Sequence, residues 1–99
     1  MRYVLLAADY LEPVLRDENS GEDLLLGLRT QEGLAERIEA WNADYQPIIP
    51  LDGQARLKAV DLIDALDRAG LMLAAEVADA LADGSKVRYF SEGRLRHLQ

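Results

Sequence analysis

A short apolar segment near the start of the chain predicts a β-strand in the middle of a sheet. Residues 4–8 are Val-Leu-Leu-Ala-Ala, preceded by Tyr3 and followed by Asp9. Both alternate sets of side chains are apolar, which is typical of strands buried on both faces. Residues 9–29 lack a clear period and predict a long acidic loop whose second half turns inward to pack. The inward side chains are predicted to be Leu24, Leu25, Leu26 and Leu28.

An amphipathic helix follows, because large apolar side chains recur at spacings of three and four residues. They are Leu34, Ile38, Trp41 and Tyr45. Thr30 is placed to cap this helix, since a threonine hydroxyl accepts a hydrogen bond from the first free backbone N–H groups. Residues 45–51 then favour a second strand. Pro47 and Pro50 place that strand at an edge of the sheet, because proline donates no ladder hydrogen bond.

The longest apolar stripe in the chain predicts one helix over residues 55–83, or two helices that meet in a bend near residues 67–70. The stripe runs from Val60 to Leu81 and keeps its phase across Gly70. A glycine in a helix interior costs about 1 kcal/mol relative to alanine. We therefore expect another element to approach the helix closely at Gly70.

The end of the chain and the order of elements predict a small α/β domain over residues 1–99. Gly84 fits the residue that follows a helix C-terminus, and residues 86–90 alternate as a last strand with Val87 and Tyr89 inward. Helices that return the chain after each strand favour a three-stranded parallel sheet in the order 2-1-3, with two or three helices. The long first loop leaves an antiparallel arrangement open.

The net charge of −7 resides in the first half of the chain. Residues 1–52 carry eleven Asp and Glu against four Arg, whereas residues 53–99 carry seven acids and seven bases. The excess is concentrated in six acids of the first loop, which we expect to bind or steer a partner. They are Asp9, Glu12, Asp17, Glu18, Glu22 and Asp23. Such a surface attracts basic proteins and repels nucleic acid.

The C-terminal end has the opposite charge, and residues 91–99 form a basic tail. From residue 84 onward four cations stand against Glu92 alone, namely Lys86, Arg88, Arg94 and Arg96. These cations could neutralise the acidic loop of the same chain or of a neighbour, or could simply keep an edge strand soluble. Leu95 and Leu98 indicate that the tail docks on the domain.

Few residues suggest catalysis, a metal or a cofactor. The chain has no cysteine, which excludes disulfides and thiolate sites, and His97 lies close to the C-terminus without a partner nearby in sequence. The acids Asp61, Asp64 and Asp67 could line one side of a helix, but they continue its polar stripe and are interpreted as a surface that faces water. No segment approaches the length of a membrane span, so we expect a cytoplasmic protein.

A calcium loop is the other metal site that the pattern suggests. Asp17, Asn19 and Gly21 occupy the first, third and fifth positions of an EF-hand frame. The frame then fails, because Glu22 stands where glycine is required and Leu28 stands where a bidentate glutamate belongs. We expect no metal.

Four parts of the chain carry a resemblance to known proteins: residues 2–10, residues 34–45, Gly70 followed by Leu73 and Ala74, and residues 87–90. They are similar to a group of small uncharacterised proteins of high-GC bacteria, which implies a consistent fold and no particular activity. In element order and acidic balance the chain also resembles barstar, a small parallel-sheet protein that inhibits a basic ribonuclease. That resemblance implies an inhibitor and is one of architecture alone.

The leading hypothesis is a non-enzymatic protein-binding module, of the immunity or inhibitor type, that uses the six loop acids to bind a basic protein. The alternative is a structural homo-oligomer, a homodimer for example, formed through an edge strand or through Leu71 and Met72, which interrupt the polar side of the long helix. A small enzyme is the third hypothesis and requires a perturbed carboxylate in a cleft.

Overall fold

The computed structural model describes residues 2–28 and 33–99 and shows a four-stranded mixed sheet with three α-helices. The elements in chain order are β1 (Tyr3–Ala7), β2 (Val14–Asp17), α1 (Leu34–Tyr45), α2 (Gly53–Lys58), α3 (Val60–Leu81), β3 (Lys86–Ser91) and β4 (Arg96–His97). A 3-10 helix covers Leu26–Leu28. Thr30, the predicted cap of α1, lies outside the described residues.

The sheet has the order β2-β1-β3-β4, with β1 and β3 parallel in the centre and an antiparallel strand at each edge. The predicted central position of the first strand is confirmed, and so is its parallel pairing with the last predicted strand. The three-stranded parallel sheet is wrong, because the predicted loop contains β2 and the predicted tail contains β4. In the β1–β2 hairpin Leu6 pairs with Leu15, which places Leu15 in the core.

The strand predicted at residues 45–51 is wrong, because these residues form successive turns after α1. The Ile48 N–H donates to the Tyr45 carbonyl at 3.0 Å, and the Leu51 N–H donates to the Ile48 carbonyl at 3.0 Å. Ile48 and Ile49 are both buried. The apolar run therefore anchors a turn in the core, with no need for a strand.

The long helical stripe is divided at Ala59 into α2 and α3. Helix α3 is continuous across residues 67–70, so the predicted bend there is wrong. The close approach at Gly70 is confirmed, since a Cβ on this glycine would lie 2.6 Å from the Tyr89 hydroxyl oxygen. Helix α3 ends in the left-handed conformation at Ala82, with φ of 53°, rather than at Gly84.

Helices α1 and α3 pack together and cover one face of the sheet. Val87 and Tyr89 point into this layer, as predicted, while Arg88 between them is exposed. The Trp41 Nε1 donates to the Leu66 carbonyl at 2.9 Å, which joins the two helices. Three of the four predicted inward leucines are buried, and Leu26 is exposed. Because β1 and β3 are parallel, the connections that follow them leave from one edge of the sheet, the carboxyl edge.

Candidate partner-binding site

The connection between β1 and β2, residues 8–13, is called the tip loop, and two amide side chains from the end of α1 hold its backbone. The Asn42 Oδ1 accepts a hydrogen bond from the Asp9 N–H at 2.9 Å. The Gln46 Nε2 donates to the Asp9 carbonyl at 2.8 Å, and the Gln46 Oε1 accepts from the Leu11 N–H at 3.2 Å. Asn42 is only 1% exposed, so the tip loop is attached to a buried part of the helix.

Leu11 has an unusual backbone conformation at the apex of the tip loop. Its φ is 65°, and the Glu12 N–H donates to the Tyr10 carbonyl at 2.7 Å, which closes a three-residue turn. A positive φ at the centre of such a turn is rare and costs about 1–3 kcal/mol. The Leu11 side chain is nevertheless 91% exposed, and Tyr10 is exposed beside it. Strained residues held by their surroundings concentrate at functional sites, which makes the tip loop the candidate site.

A small groove of about 160 Å³ lies beside the tip loop, and Leu11, Glu12, Asp23 and Leu26 contribute to its lining. Leu26 is exposed on the 3-10 helix. The exposed side chains of Tyr10, Leu11, Glu12 and Leu26 are called the tip surface. Apolar and aromatic groups next to a charged group match the core and rim of protein–protein interfaces.

The six acids nominated from the sequence do not form one surface, because β2 separates them. Asp9 and Glu12 belong to the tip loop at one end of β2. Glu18 follows the other end, about 10 Å away along the strand, and its N–H donates to the carbonyl of Tyr3 at 2.8 Å. Glu22 lies at that end as well, where its carbonyl accepts from the Asp17 N–H at 2.9 Å.

Asp17 and Asp23 have local structural roles. The Asp17 Oδ1 accepts from the N–H groups of Asn19 and Ser20, at 2.8 and 3.2 Å. The Asp23 Oδ1 accepts from the Leu25 N–H at 2.9 Å. Aspartate side chains that bond to the backbone two residues on are typical of turns, so turn geometry explains both residues without a partner.

The remaining acids differ in whether their carboxylates form ion pairs or hydrogen bonds within the described part of the chain. Glu18 forms an ion pair with Arg88 at 3.6 Å. Glu12 and Glu22 are exposed and form no ion pair with any residue in the described ranges. Among the described residues, the Asp9 carboxylate accepts only from the neighbouring Tyr10 N–H, at 2.7 Å. Asp9 and Glu12 are therefore the acids that flank the exposed Leu11.

A second groove at the carboxyl edge lies against residues 92–95, which connect β3 to β4, and is called the basic groove. Its volume is about 410 Å³, and Arg56 and Arg96 are among the residues that line it. Apolar side chains are exposed in it, namely Leu57 (75%), Val60 (44%) and Leu95 (62%). Leu95, like Leu11, has a positive φ, of 55°. The two turns that follow β1 and β3 thus each present an exposed leucine in a strained conformation.

Comparison with known proteins yields no match. No family model matches the chain, and no curated protein or solved structure matches it either.

The carboxylate of Asp67 lies at the centre of a buried polar cluster. Its Oδ1 accepts from the hydroxyl groups of Tyr45 and Tyr89, at 2.9 and 2.7 Å. Its Oδ2 accepts from the Ser91 Oγ at 2.8 Å and lies 3.5 Å from the Arg94 Nε. The sequence-based placement of Asp67 on the water-facing side of α3 is therefore wrong.

The polar cluster anchors the turn between β3 and β4 to α3. The Tyr45 hydroxyl accepts from the Gly93 N–H at 2.8 Å, and the Ser91 Oγ accepts from the Arg94 N–H at 3.0 Å. Burial raises the pKa of Tyr45 and of Tyr89, and the neighbouring carboxylate raises the pKa of both further. Both hydroxyls stay protonated at neutral pH and donate. Every buried side-chain polar atom in the described part of the chain has a partner, so the cluster is explained by packing.

Residues 2–28 and 33–99 contain neither a metal cluster nor a membrane-spanning helix. No group of three or more His, Cys, Asp or Glu in these ranges is placed to hold a metal ion. No helix in these ranges has both the length and the apolar character that crossing a bilayer requires. His97 packs edge-on against the Phe90 ring, with 5.2 Å between ring centroids.

Proposed function

We propose that this protein is a non-enzymatic protein-binding module whose tip surface binds a basic partner. The observation that carries the proposal is Leu11, which is 91% exposed at a φ of 65° in a loop held by Asn42 and Gln46. A loop already fixed in one conformation loses little entropy on binding. Tyr10 and Leu11 then act as the apolar anchors of the interface.

The partner is basic because the charges of the tip surface and of the whole chain are negative. The net charge is −7, and a field of that sign raises the rate at which positively charged proteins associate. Asp9 and Glu12 flank the anchors and supply the short-range charge complementarity that fixes orientation. The specific form of the proposal is an immunity- or inhibitor-type role, in which the tip surface covers a functional site of the basic partner.

Site-specific photo-crosslinking in the source cells tests the proposal. A photoreactive amino acid at position 10 is expected to give a discrete adduct with a basic protein, and Leu11→Asp in the same chain is expected to abolish that adduct. The matched control carries the photoreactive group at position 72, on the exposed side of α3, and is expected not to give that adduct. An adduct that survives Leu11→Asp, or the absence of any basic protein among the adducts, contradicts the proposal.

The alternative function, a structural homo-oligomer formed through Leu71 and Met72, has one observation in its favour. Met72 is 69% exposed and lines a groove of about 340 Å³ between α1 and α3. Two of the three charged residues of that groove, Arg37 and Glu76, form an ion pair with each other at 2.8 Å, and the third is Asp44.

A small enzyme remains the third proposal, and Glu92 is the carboxylate that it would use. Burial raises the pKa of Glu92, the Arg56 charge opposes that shift, and the Asp9 charge adds to it. Glu92 lines neither the basic groove nor the groove beside the tip loop. The binding module therefore has the stronger support.

A further inference from the structure

Two cations of the basic groove, Arg56 and Arg96, form no ion pair with a carboxylate of the described residues. The Arg56 guanidinium donates to three backbone carbonyls, and its charge acts on the nearby Glu92 carboxylate without a direct ion pair. Arg96 is exposed. Arg94 differs, because its guanidinium pairs with Asp64. The uncompensated charge of the groove is therefore positive.

A groove of this kind fits an acidic segment that carries exposed apolar side chains. The tip surface has this composition, with Tyr10 and Leu11 next to Glu12. The complementary positions in the groove are the apolar Leu57 and Leu95, with Arg96 at the rim. When the two surfaces are brought together, the Glu12 carboxylate faces the cation at the rim, and the apolar side chains of the tip surface face the leucines of the groove.

We infer that two copies of this chain bind each other through the carboxyl edge of the sheet, with the tip surface of each copy in the basic groove of the other. The two surfaces lie at the same edge because β1 and β3 are parallel. A two-fold axis between them places the tip surface of each copy on the basic groove of the other. The self-complementary contact that a closed dimer requires then forms twice.

The expected dimer is weak. A standard interface covers about 800 Å² on each partner, which is about a seventh of the 5854 Å² that this chain exposes. Each copy also carries a charge of −7, so long-range repulsion opposes the local attraction until salt screens it beyond about 8 Å at physiological ionic strength. We expect a Kd on the order of 10–100 µM.

This inference rests on the proposed function, because the dimer would cover the same tip surface that binds the basic partner. A second copy and the partner would then compete for Tyr10 and Leu11. Self-association would keep the exposed leucines out of water until a tighter partner displaces the second copy. The monomer would be the form that binds the partner.

Sedimentation velocity over a range of concentrations tests the inference. The wild-type chain should shift from the monomer mass of 11.0 kDa toward twice that mass. Glu12→Lys alone and Arg96→Glu alone should each weaken the dimer at least about tenfold, which is the effect of a change of 1.4 kcal/mol. An equimolar mixture of the two variants should recover the dimer, because each reversed charge meets its complement in the heterodimer. Met72→Ser is the matched control and should leave the dimer unchanged.

Circular dichroism spectra of the variants are the check that each remains folded, so that loss of the dimer is distinguished from loss of the domain. A wild-type chain that stays monomeric throughout, a mixture that does not recover the dimer, or a dimer dissociated by Met72→Ser each overturns the inference. Failure of the inference and of the proposed function are distinguishable. A monomer that still gives the position-10 adduct with a basic protein overturns the dimer alone, whereas a dimer without that adduct overturns the proposed function alone.

Discussion

Asp67 and Glu12 are carboxylates that the sequence presents in the same way, as members of acidic polar patterns, yet they occupy opposite environments. Asp67 is 3% exposed and accepts hydrogen bonds from three hydroxyl groups. Glu12 is exposed beside a strained leucine and has no ion pair among the described residues. The Asp67 carboxylate is bound by groups inside the domain, whereas the Glu12 carboxylate is available to a binding partner.

The difference shows that an acidic residue is informative about function only after its internal partners are known. Removing one partner of a buried hydrogen bond lowers the stability by more than the net contribution of that bond. The partner that remains is buried without a hydrogen bond, so the cost of removing it from water is no longer compensated. Asp17 and Asp23, whose oxygens accept from nearby backbone N–H groups, belong with Asp67 in this respect. Asp9 and Glu12 remain as the acids that flank the exposed Leu11, and Asp23 lines the groove beside them.

The largest expected effect separates the two environments directly. Asp67→Ala leaves the hydroxyls of Tyr45, Tyr89 and Ser91 without their acceptor, and we expect the free energy of unfolding to fall by about 3–5 kcal/mol. Urea unfolding curves, recorded by circular dichroism, measure this change in the free energy of unfolding.

Two exposed acids provide the control for this prediction. Glu12→Gln and Asp61→Ala should each change the free energy of unfolding by no more than about 0.5 kcal/mol. A loss below about 1 kcal/mol for Asp67→Ala would show that the polar cluster contributes little to stability, and the contrast with Glu12 would disappear.

A smaller effect of opposite sign is expected at the tip loop. Leu11→Gly removes the penalty of a positive φ but adds the conformational entropy of glycine, so we expect the free energy of unfolding to rise by up to about 1 kcal/mol. Leu57→Gly is the matched control, since Leu57 is an exposed leucine with a helical backbone. That change should lower the same free energy by about 0.5–1 kcal/mol. If Leu11→Gly lowered it as well, the tip loop would not store strain.

The long helices and the two central strands could be predicted from the sequence, and the two short edge strands could not. The apolar stripe of α3 follows from the spacing of its residues, and the close contact at Gly70 follows from the cost of a glycine inside a helix. Strand β2 is only four residues long and follows Pro13, so no alternation marks it. Conversely, Ile48 and Ile49 suggested a strand because a short apolar run does not distinguish a strand from a buried turn.

The candidate site could be predicted in its charge but not in its geometry. The conformation of Leu11 depends on Asn42 and Gln46, more than thirty residues away in sequence, and no local pattern reveals such contacts. The burial of Asp67 did leave a signal. Asp67 follows Ile63 by four residues and precedes Gly70 by three, which places it on the buried stripe of α3.

The smallest expected effect concerns Glu92. Its side chain is half-buried, which is intermediate between the buried Asp67 and the exposed Glu12. Burial raises the pKa of Glu92 above its ordinary value of 4.5, so the folded state holds this proton more tightly than the unfolded state. The stabilising contribution of the bound proton is complete below pH 4.5 and is lost as the pH rises through the folded pKa. Glu92→Gln should therefore raise the Tm at pH 7 and leave it nearly unchanged at pH 4. The corresponding change in the free energy of unfolding should be smaller than the changes expected for Asp67→Ala and Leu11→Gly. An equal rise at both pH values would mean that a packing change, and not the carboxylate charge, causes it.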